Sequence, residues 1–402
     1  MKHLLFLAHK VPHPPDKGER VRAHHQLLML SRRFRVTLAA LARGEEEERA
    51  ALELGDKCRV IVERLRLPML GAAAALATGR SATEGYFASR RLLRRILAAH
   101  EARAFDVLFA YCSSVLPLAA HLPDVPAVMD FVDVDSEKWL NFGGNCRGPA
   151  RLLYNIEGRR VRKLEKRAIA HCRRVFCVSA GEAANSPHVG IHALGNGVDV
   201  EYFAPRSDPI DHHDIVFTGT MDYLPNRQAV CWFARNVWPR LKSRFADLTF
   251  HVVGRNPARD VQVLSHIDGI VMTGTVDDVR PYIARASVAV APMRLGRGVQ
   301  NKILEAMAMA KPVVATRAAL ESLEIAAGHE ALCADEPAQW IDLIAGLLDH
   351  PEQCAGIGMR ARRRVEESFS WSARLEPLME ACMLAAGDAP HGCSMPCGEK
   401  RA

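Results

Sequence analysis

The sequence predicts an α/β protein made of two doubly wound parallel sheets, and three observations carry that prediction. Short apolar, β-branched runs alternate with helical stretches along the chain, the pattern of parallel strands covered on both faces. The chain has 402 residues, enough for two domains at roughly 150 residues each. A polar stretch with two prolines, Ala204 to Asp214, divides the apolar runs into two sets. Composition agrees: 49% hydrophobic and 25% charged residues are the proportions of an ordinary soluble globular protein, which excludes disorder or low complexity for most of the chain.

In the first half the predicted strands are Leu4–Ala8, Val36–Leu41, Val60–Val62, Val107–Tyr111, Ala127–Val132, Arg174–Ser179 and Ile191–Leu194. In the second half they are Ile215–Gly219, Leu248–Val253, Ile270–Thr273, Val288–Ala291 and Pro312–Ala315. Domains are expected over 1–205 and 206–370, followed by a helix over 371–387 and a disordered tail over 388–402. Ligands are expected at the carboxyl ends of the strands. The longest apolar stretch, Leu67 to Ala77, is about half of the ~20 residues that a bilayer span needs. Leu4 to Ala8 is too short for the apolar core of a secretory signal. The 11 cysteines are odd in number and thinly spread, so a reduced compartment is expected rather than a disulfide scaffold. Cys393 and Cys397 have no further ligands near them, and no metal is expected there.

Charge is uneven. Between Arg151 and Arg174 nine basic residues face two acidic ones, Glu157 and Glu165, an excess equal to the net +7 of the whole chain. Leu152, Ile156, Leu164 and Ile169 recur among them at roughly helical spacing, so one basic amphipathic helix is predicted. Arg90 to Arg103 repeats the pattern. Such helices suit anionic surfaces. Stacking aromatics are not interleaved with these arginines, so an anionic membrane surface is the expected partner and nucleic acid is not.

The densest chemistry in the second half lies at Arg294 to Val314, where the Val288–Ala291 strand meets a helix starting near Gln300. Gly296 and Gly298 leave room for backbone amides to approach a ligand. A helix N-terminus attracts anions and disfavours cations. Arg297 and Lys302 nevertheless sit at this one, which argues for a bound phosphate between them. Glu305, one turn beyond Lys302, is placed to accept hydrogen bonds from a vicinal diol such as ribose.

In the first half, a proline-rich loop places Lys17-Gly18 before a helix over Val21–Leu30. Arg20 and Arg22 there are candidates for holding an anionic acceptor. Asp130, Asp133 and Asp135 lie just beyond a predicted strand, and their mutual repulsion would raise at least one pKa. The Asp-x-x-Asp-x-Asp spacing lacks the glycine and distant glutamate of a calcium loop, so no metal is expected.

Several of these stretches resemble glycosyltransferase family four. Arg294 to Val314 resembles its nucleotide-sugar signature, with Glu305 in the place of the second of two glutamates and Arg297 in the place of the first. Asn196-Gly197-Val198-Asp199 resembles the element that closes the family's first domain. Phe217 to Asn226 (FTGTMDYLPN) resembles the first strand–loop–helix of its donor domain, without the usual Arg and Lys of that loop. PPDKGER, DFVDVDSEKW and TGTMDYLPN, in that order, resemble an exopolysaccharide-type subset associated with PEP-CTERM/exosortase systems. The resemblance implies a GT-B fold, two Rossmann-like domains facing a central cleft, and a retaining transferase. Its donor is a nucleotide-diphosphate-sugar substrate, with no cofactor and no metal. It implies donor contacts at Gly18, Gly219, Asn226, Arg255, Gly298, Val299, Lys302 and Glu305. Arg297 and Lys302 would stabilise the departing diphosphate, and Asp133 or Asp130 would act as base or orient the acceptor. It further implies a saccharide or lipid-linked acceptor and a cytoplasmic protein, peripheral on the inner face of the plasma membrane. Two other readings stay open at this stage: an epimerase of sugar nucleotides on the same fold, and a non-catalytic anion- or membrane-binding protein.

Overall fold

The computed structural model describes residues 1–15, 18–206, 214–294, 300–321, 323 and 325–387. They form two compact units, Met1–Gly195 joined by the chain from Leu375 onward, and Asn196–Arg374.

The first unit holds strands β1 (His3–Ala8), β2 (Arg35–Ala42), β3 (Arg59–Arg64), β4 (Val107–Tyr111), β5 (Ala127–Asp130), β6 (Arg174–Cys177) and β7 (Ile191–Ala193). Its helices include α1 (Gly18–Ser31), α2 (Pro68–Ala77), α3 (Ala82–Tyr86), α4 (Arg90–Ala102), α5 (Asp135–Asn145) and α6 (Pro149–His171). The seven strands are parallel and run in the order β3-β2-β1-β4-β5-β6-β7. All six residues of β1 are buried, as a central parallel strand covered on both faces requires.

The second unit holds β8 (Asp214–Thr218), β9 (Thr249–Val253), β10 (Ile270–Gly274), β11 (Val288–Ala291), β12 (Val313–Ala315) and β13 (Leu332–Cys333). They are also parallel, in the order β10-β9-β8-β11-β12-β13. Helices α7 (Leu224–Asn236) and α8 (Asn301–Ala308) leave its central strands, and α9 (Trp371–Ala385) ends the described chain. The core is aromatic at its centre. Phe233 lies 4.9 Å from Phe250 and 5.8 Å from Trp340 between ring centroids.

In each sheet the order reverses beside the first strand, between β1 and β4 and between β8 and β11. These are the switch points where a doubly wound sheet opens a crevice at its carboxyl edge. Each of the twelve predicted runs overlaps a strand; β13, only two residues long, carries too little pattern to announce itself.

The packing boundary falls at Gly195, ahead of the polar stretch expected as a linker. Val198 donates its N–H to the Phe369 carbonyl at 2.8 Å. A Cβ on Gly197 would sit 2.7 Å from the Trp371 backbone. The Asn196–Asp199 element is thus held by the far end of the second unit. Helix α9 begins there, at Trp371–Arg374, and continues from Leu375 in the first unit. The tail over 388–402 lies outside the described residues. Among the described residues no helix is long and apolar enough to cross a membrane.

Candidate functional site

In the second unit the site grows from two interlaced loops. β8 ends at Thr218, and Gly219 donates its N–H to the Val253 carbonyl at 3.0 Å, while Met221 donates to the Arg255 carbonyl at 2.8 Å. A Cβ on Gly254 would collide with the Gly219 carbonyl, and one on Gly219 would lie 2.7 Å from Asn226 Nδ2. Both positions are small because backbone and an amide side chain already fill the space. Asn226, in the first turn of α7, is buried and donates from Nδ2 to the Thr220 carbonyl at 2.9 Å. Its orientation is therefore fixed, with Oδ1 left to accept.

That acceptor is used by Lys302. Its ammonium donates to Asn226 Oδ1 at 2.6 Å and lies 4.7 Å from the centroid of the Phe217 ring. The helix α8 thus delivers a cation onto the carboxyl edge of β8, across the switch point. Lys302 turns to this neutral amide rather than pairing with Glu305 at i+3. Burial pushes the Lys302 ammonium down to about 8, against the pull of Glu305. Burial likewise pushes the Glu305 carboxyl up to about 7, against the pull of Lys302. Two opposite charges are thus held half-buried without a direct ion pair, an arrangement that a ligand could complete. Asn226, Lys302 and Gly219 lie together at this edge. Arg255 lies at the same edge with an exposed side chain, and the contact it makes to the loop is through its carbonyl. Arg297, Gly298 and Val299 lie outside the described residues.

In the first unit a pocket of about 280 Å³ opens at the carboxyl ends of β1, β4 and β5. Asp133 and Asp135 line it, but Asp130 does not. Asp130 is fully buried, accepting from Arg22 Nε at 2.7 Å, Gln26 Nε2 at 2.5 Å and the Val132 N–H at 2.9 Å. With three donors on it and no exposure to solvent, its carboxylate is out of reach of an acceptor hydroxyl. The expectation for Asp130 is corrected on that ground, and with it the anion-binding expectation for Arg22. Arg20 is likewise engaged, by Glu47. Asp133 sits on the rim, 2.5 Å from Lys138 Nζ. Gly18 opens α1 with nothing within 4 Å of where a Cβ would stand, so no close approach within the chain demands glycine there.

The pocket also holds residues without a predicted role: His9, Lys10, Glu19, Tyr111, Cys112 and Trp139. Lys10 Nζ lies 2.6 Å from Glu19 Oε1, and His9 Nε2 lies 3.8 Å from Oε2. His9 first, and Lys10 with it, hold the Glu19 carboxyl down at about 2 against the opposing effect of burial. Tyr111 donates its hydroxyl to the Glu19 carbonyl at 2.6 Å. Trp139 stacks on Tyr154 at 5.7 Å. The signal for His9, Tyr111 and Cys112 was positional: each ends or follows a central strand on the carboxyl side. Among the described residues there is no group of three or more His, Cys, Asp or Glu that could hold a metal ion.

Two Rossmann-like parallel-sheet domains in one chain define the GT-B fold, which solved glycosyltransferase structures share with this one. Residues 212–350 match the family described as Glycosyl transferases group 1. That segment contains Gly219, Asn226, Arg255, Lys302 and Glu305. The HepE protein (Alr3699) of Anabaena, solved in complex with UDP, superposes with a TM-score of 0.64 at 15% identity, over 94% of this chain and 99% of that one. The sucrose-phosphate synthase of Thermosynechococcus elongatus superposes with a TM-score of 0.61 at 16% identity, over 96% and 100%. In sequence, the MMP alpha-(1->4)-mannosyltransferase of Mycolicibacterium hassiacum is 26% identical over 232 residues, 52% of this chain and 54% of the relative. The chain thus matches about half the length of that curated relative.

Proposed function

We propose that the protein is a glycosyltransferase that moves a sugar from a nucleotide-diphosphate-sugar donor to a saccharide or lipid-linked acceptor. One observation carries the reading: the half-buried Lys302 and Glu305, held apart at the switch point of the segment matching group 1 glycosyl transferases. A nucleoside diphosphate is complementary to both. Its diphosphate supplies the negative charge that the Lys302 ammonium lacks, and a ribose diol supplies donors to the Glu305 carboxylate. Gly219 and Asn226 shape the floor of this site, the Arg255 carbonyl braces its loop, and Arg297, Gly298 and Val299 are the donor contacts that the sequence adds.

In the reaction the bond between the sugar's anomeric carbon and the phosphate oxygen breaks, and the acceptor oxygen bonds to that carbon. The charge left on the diphosphate is met by Lys302, which Asn226 holds in place, and Arg297 is the second cation that the sequence offers for it. The acceptor proton passes to the departing phosphate oxygen, which is the retaining route. Asp133 orients the acceptor hydroxyl. The donor is a substrate, and the reading calls for no cofactor or metal. The family resemblance of the DFVDVDSEKW and PPDKGER segments supports a place in exopolysaccharide synthesis of the PEP-CTERM/exosortase-associated type. The basic helices α4 and α6 support a peripheral position on an anionic leaflet, at the cytoplasmic face of the plasma membrane.

The test has two parts. UDP and GDP are added separately, and one of them should raise the melting temperature by mass action. Lys302→Ala and Glu305→Ala should then each slow release of nucleoside diphosphate from its sugar conjugate by about 10²–10³, the scale of one lost preorganised contact. Near-normal turnover in either folded variant rejects the site.

A further inference from the structure

Helix α2 is out of keeping with a water-facing surface. Its sequence is PMLGAAAALA, and only Ala72 and Ala75 are buried. Met69 and Leu70 are 72% and 63% exposed, and Ala73, Ala74 and Ala77 are exposed beside them. The offsets of one, four, five and eight residues from Met69 place all five on a single stripe. A surface helix normally turns polar residues outward; this stripe has none. Leu67, which caps the helix, is 69% exposed. It also takes a left-handed backbone, φ 49°, where a bulky residue is seldom found. Three large apolar side chains are therefore presented to solvent together, and exposed apolar patches of this kind mark contact sites.

The orientation of the stripe is fixed from behind. A Cβ on Gly71 would collide with the Gly85 carbonyl, so α2 lies tight against α3. The N-terminal amides of α3, Ala82 and Thr83, donate to the Glu157 carboxylate of α6 at 2.7 and 2.9 Å. Arg160 of α6 donates to the carbonyls of Leu76 and Arg80, both at 2.9 Å. The apolar stripe and α6 thus belong to one helical cluster. The two acids of α6, Glu157 and Glu165, are turned inward, 3% and 1% exposed. Arg151, Arg159, Lys163, Lys166 and Arg167 are exposed. Only positive charge faces outward from its ionisable groups.

Charge decides the occupant. A second copy docking by the same patch would bring two such basic faces together and repel. An anionic leaflet offers headgroups to the arginines and lysines and acyl chains to the stripe. We infer that α2, capped by Leu67, is the segment that enters an anionic lipid leaflet, with Met69 and Leu70 among the acyl chains and the basic face of α6 on the headgroups. This rests on the peripheral-membrane part of the proposed function and assigns it an insertion element.

The full chain is sedimented with phosphatidylcholine vesicles and with the same lipid containing about 30% phosphatidylglycerol, an anionic surface. Binding to the mixed vesicles alone is expected. Met69→Asp/Leu70→Asp should weaken it at least about tenfold, the factor that one buried leucine side chain is worth, with an unchanged melting temperature. Leu70→Trp should give emission shifted to the blue on the mixed vesicles. Unchanged binding by the aspartate variant, or no blue shift, overturns the inference while leaving peripheral attachment standing. Failure of the unaltered protein to bind either vesicle overturns both. A solution dimer that the aspartate variant converts to monomer overturns it in favour of a second copy. The nucleotide-induced melting shift is indifferent to all these outcomes, so the donor-site reading is judged separately.

Discussion

Each unit holds a pair of opposite charges near the carboxyl edge of its sheet, fully buried in the first and half-buried in the second, and the two pairs have opposite meanings. In the first unit Arg22 and Asp130 are in contact at 2.7 Å, and Gln26 and a backbone amide complete the carboxylate. In the second, Lys302 leans on a neutral amide and Glu305 is left without a direct cation. A buried carboxylate holding three donors, one of them a guanidinium, is a structural strut. One half-buried with its acceptors open is raised to about 7 by burial, and the proposed ribose contact would complete it. Both pairs join a carboxylate and a cation of ordinary kind near a sheet's carboxyl edge; satisfaction separates them.

The sharpest way to break this comparison is to remove one member of each pair and follow the melting temperature. Asp130→Ala leaves a buried guanidinium without its counter-ion. The expected loss is about 3–5 kcal/mol, or of order 10 °C in melting temperature for a domain of this size. The Arg22→Met/Asp130→Leu double variant should recover much of it, because apolar replacements remove both desolvated charges together. A loss below about 1 kcal/mol for the single variant would show that the pair is not the strut described.

The second variant should move the other way. Glu305 has its ordinary value in the unfolded chain and about 7 in the folded one. Between those values the folded state holds more protons. Its contribution is therefore fully favourable below the ordinary value and is lost as pH rises through about 7. Above that pH the buried carboxylate destabilises the fold, and Glu305→Gln should raise stability by about 1 kcal/mol, well short of the full shift because the site is partly open to solvent. A gain in stability with a loss of turnover is what a functional, incompletely satisfied group gives. A loss of stability in Glu305→Gln would place Glu305 among the struts.

Much of this was legible beforehand, for unequal reasons. The parallel sheets were visible because strands buried on both faces read as continuous apolar runs, as Leu4–Ala8 does. Lys302 and Asn226 were found as singular residues, but their contact, 76 positions apart in sequence, was not. The role of Asp130 was misread because Arg22 and Gln26 reach it across 108 and 104 positions. Nothing in the local Asp-x-x-Asp-x-Asp pattern distinguishes the satisfied acid from the rim residue Asp133. The inward turn of Glu157 and Glu165 was hidden too. Their partners, Ala82 and Thr83 in one case and Ser136 and His188 in the other, come from other elements. The boundary at Gly195 depends on a contact of Gly197 with Trp371, which no composition shift in the linker announces.

The smallest expected effect sharpens the second half of the comparison by titration. Lys302 has about 8 in the folded protein, below its ordinary value, so the unfolded chain holds more protons between the two, and its contribution to stability rises with pH across that window. On the proposed reading, nucleoside diphosphate binding needs Lys302 charged and Glu305 ionised. Those states coexist best between about 7 and 8, so affinity should peak there. It should fall by about tenfold for each pH unit beyond either limit, the slope of one proton. Calorimetric titration of UDP or GDP checks this. The diphosphate's own ionisation also weakens binding in acid, and Glu305→Gln separates the two causes. If Glu305 titration sets the acid limb, the variant binds more weakly at the optimum and its acid limb flattens. If the limb persists unchanged in the variant, the ligand is titrating, and Glu305 is not the group that receives the ribose.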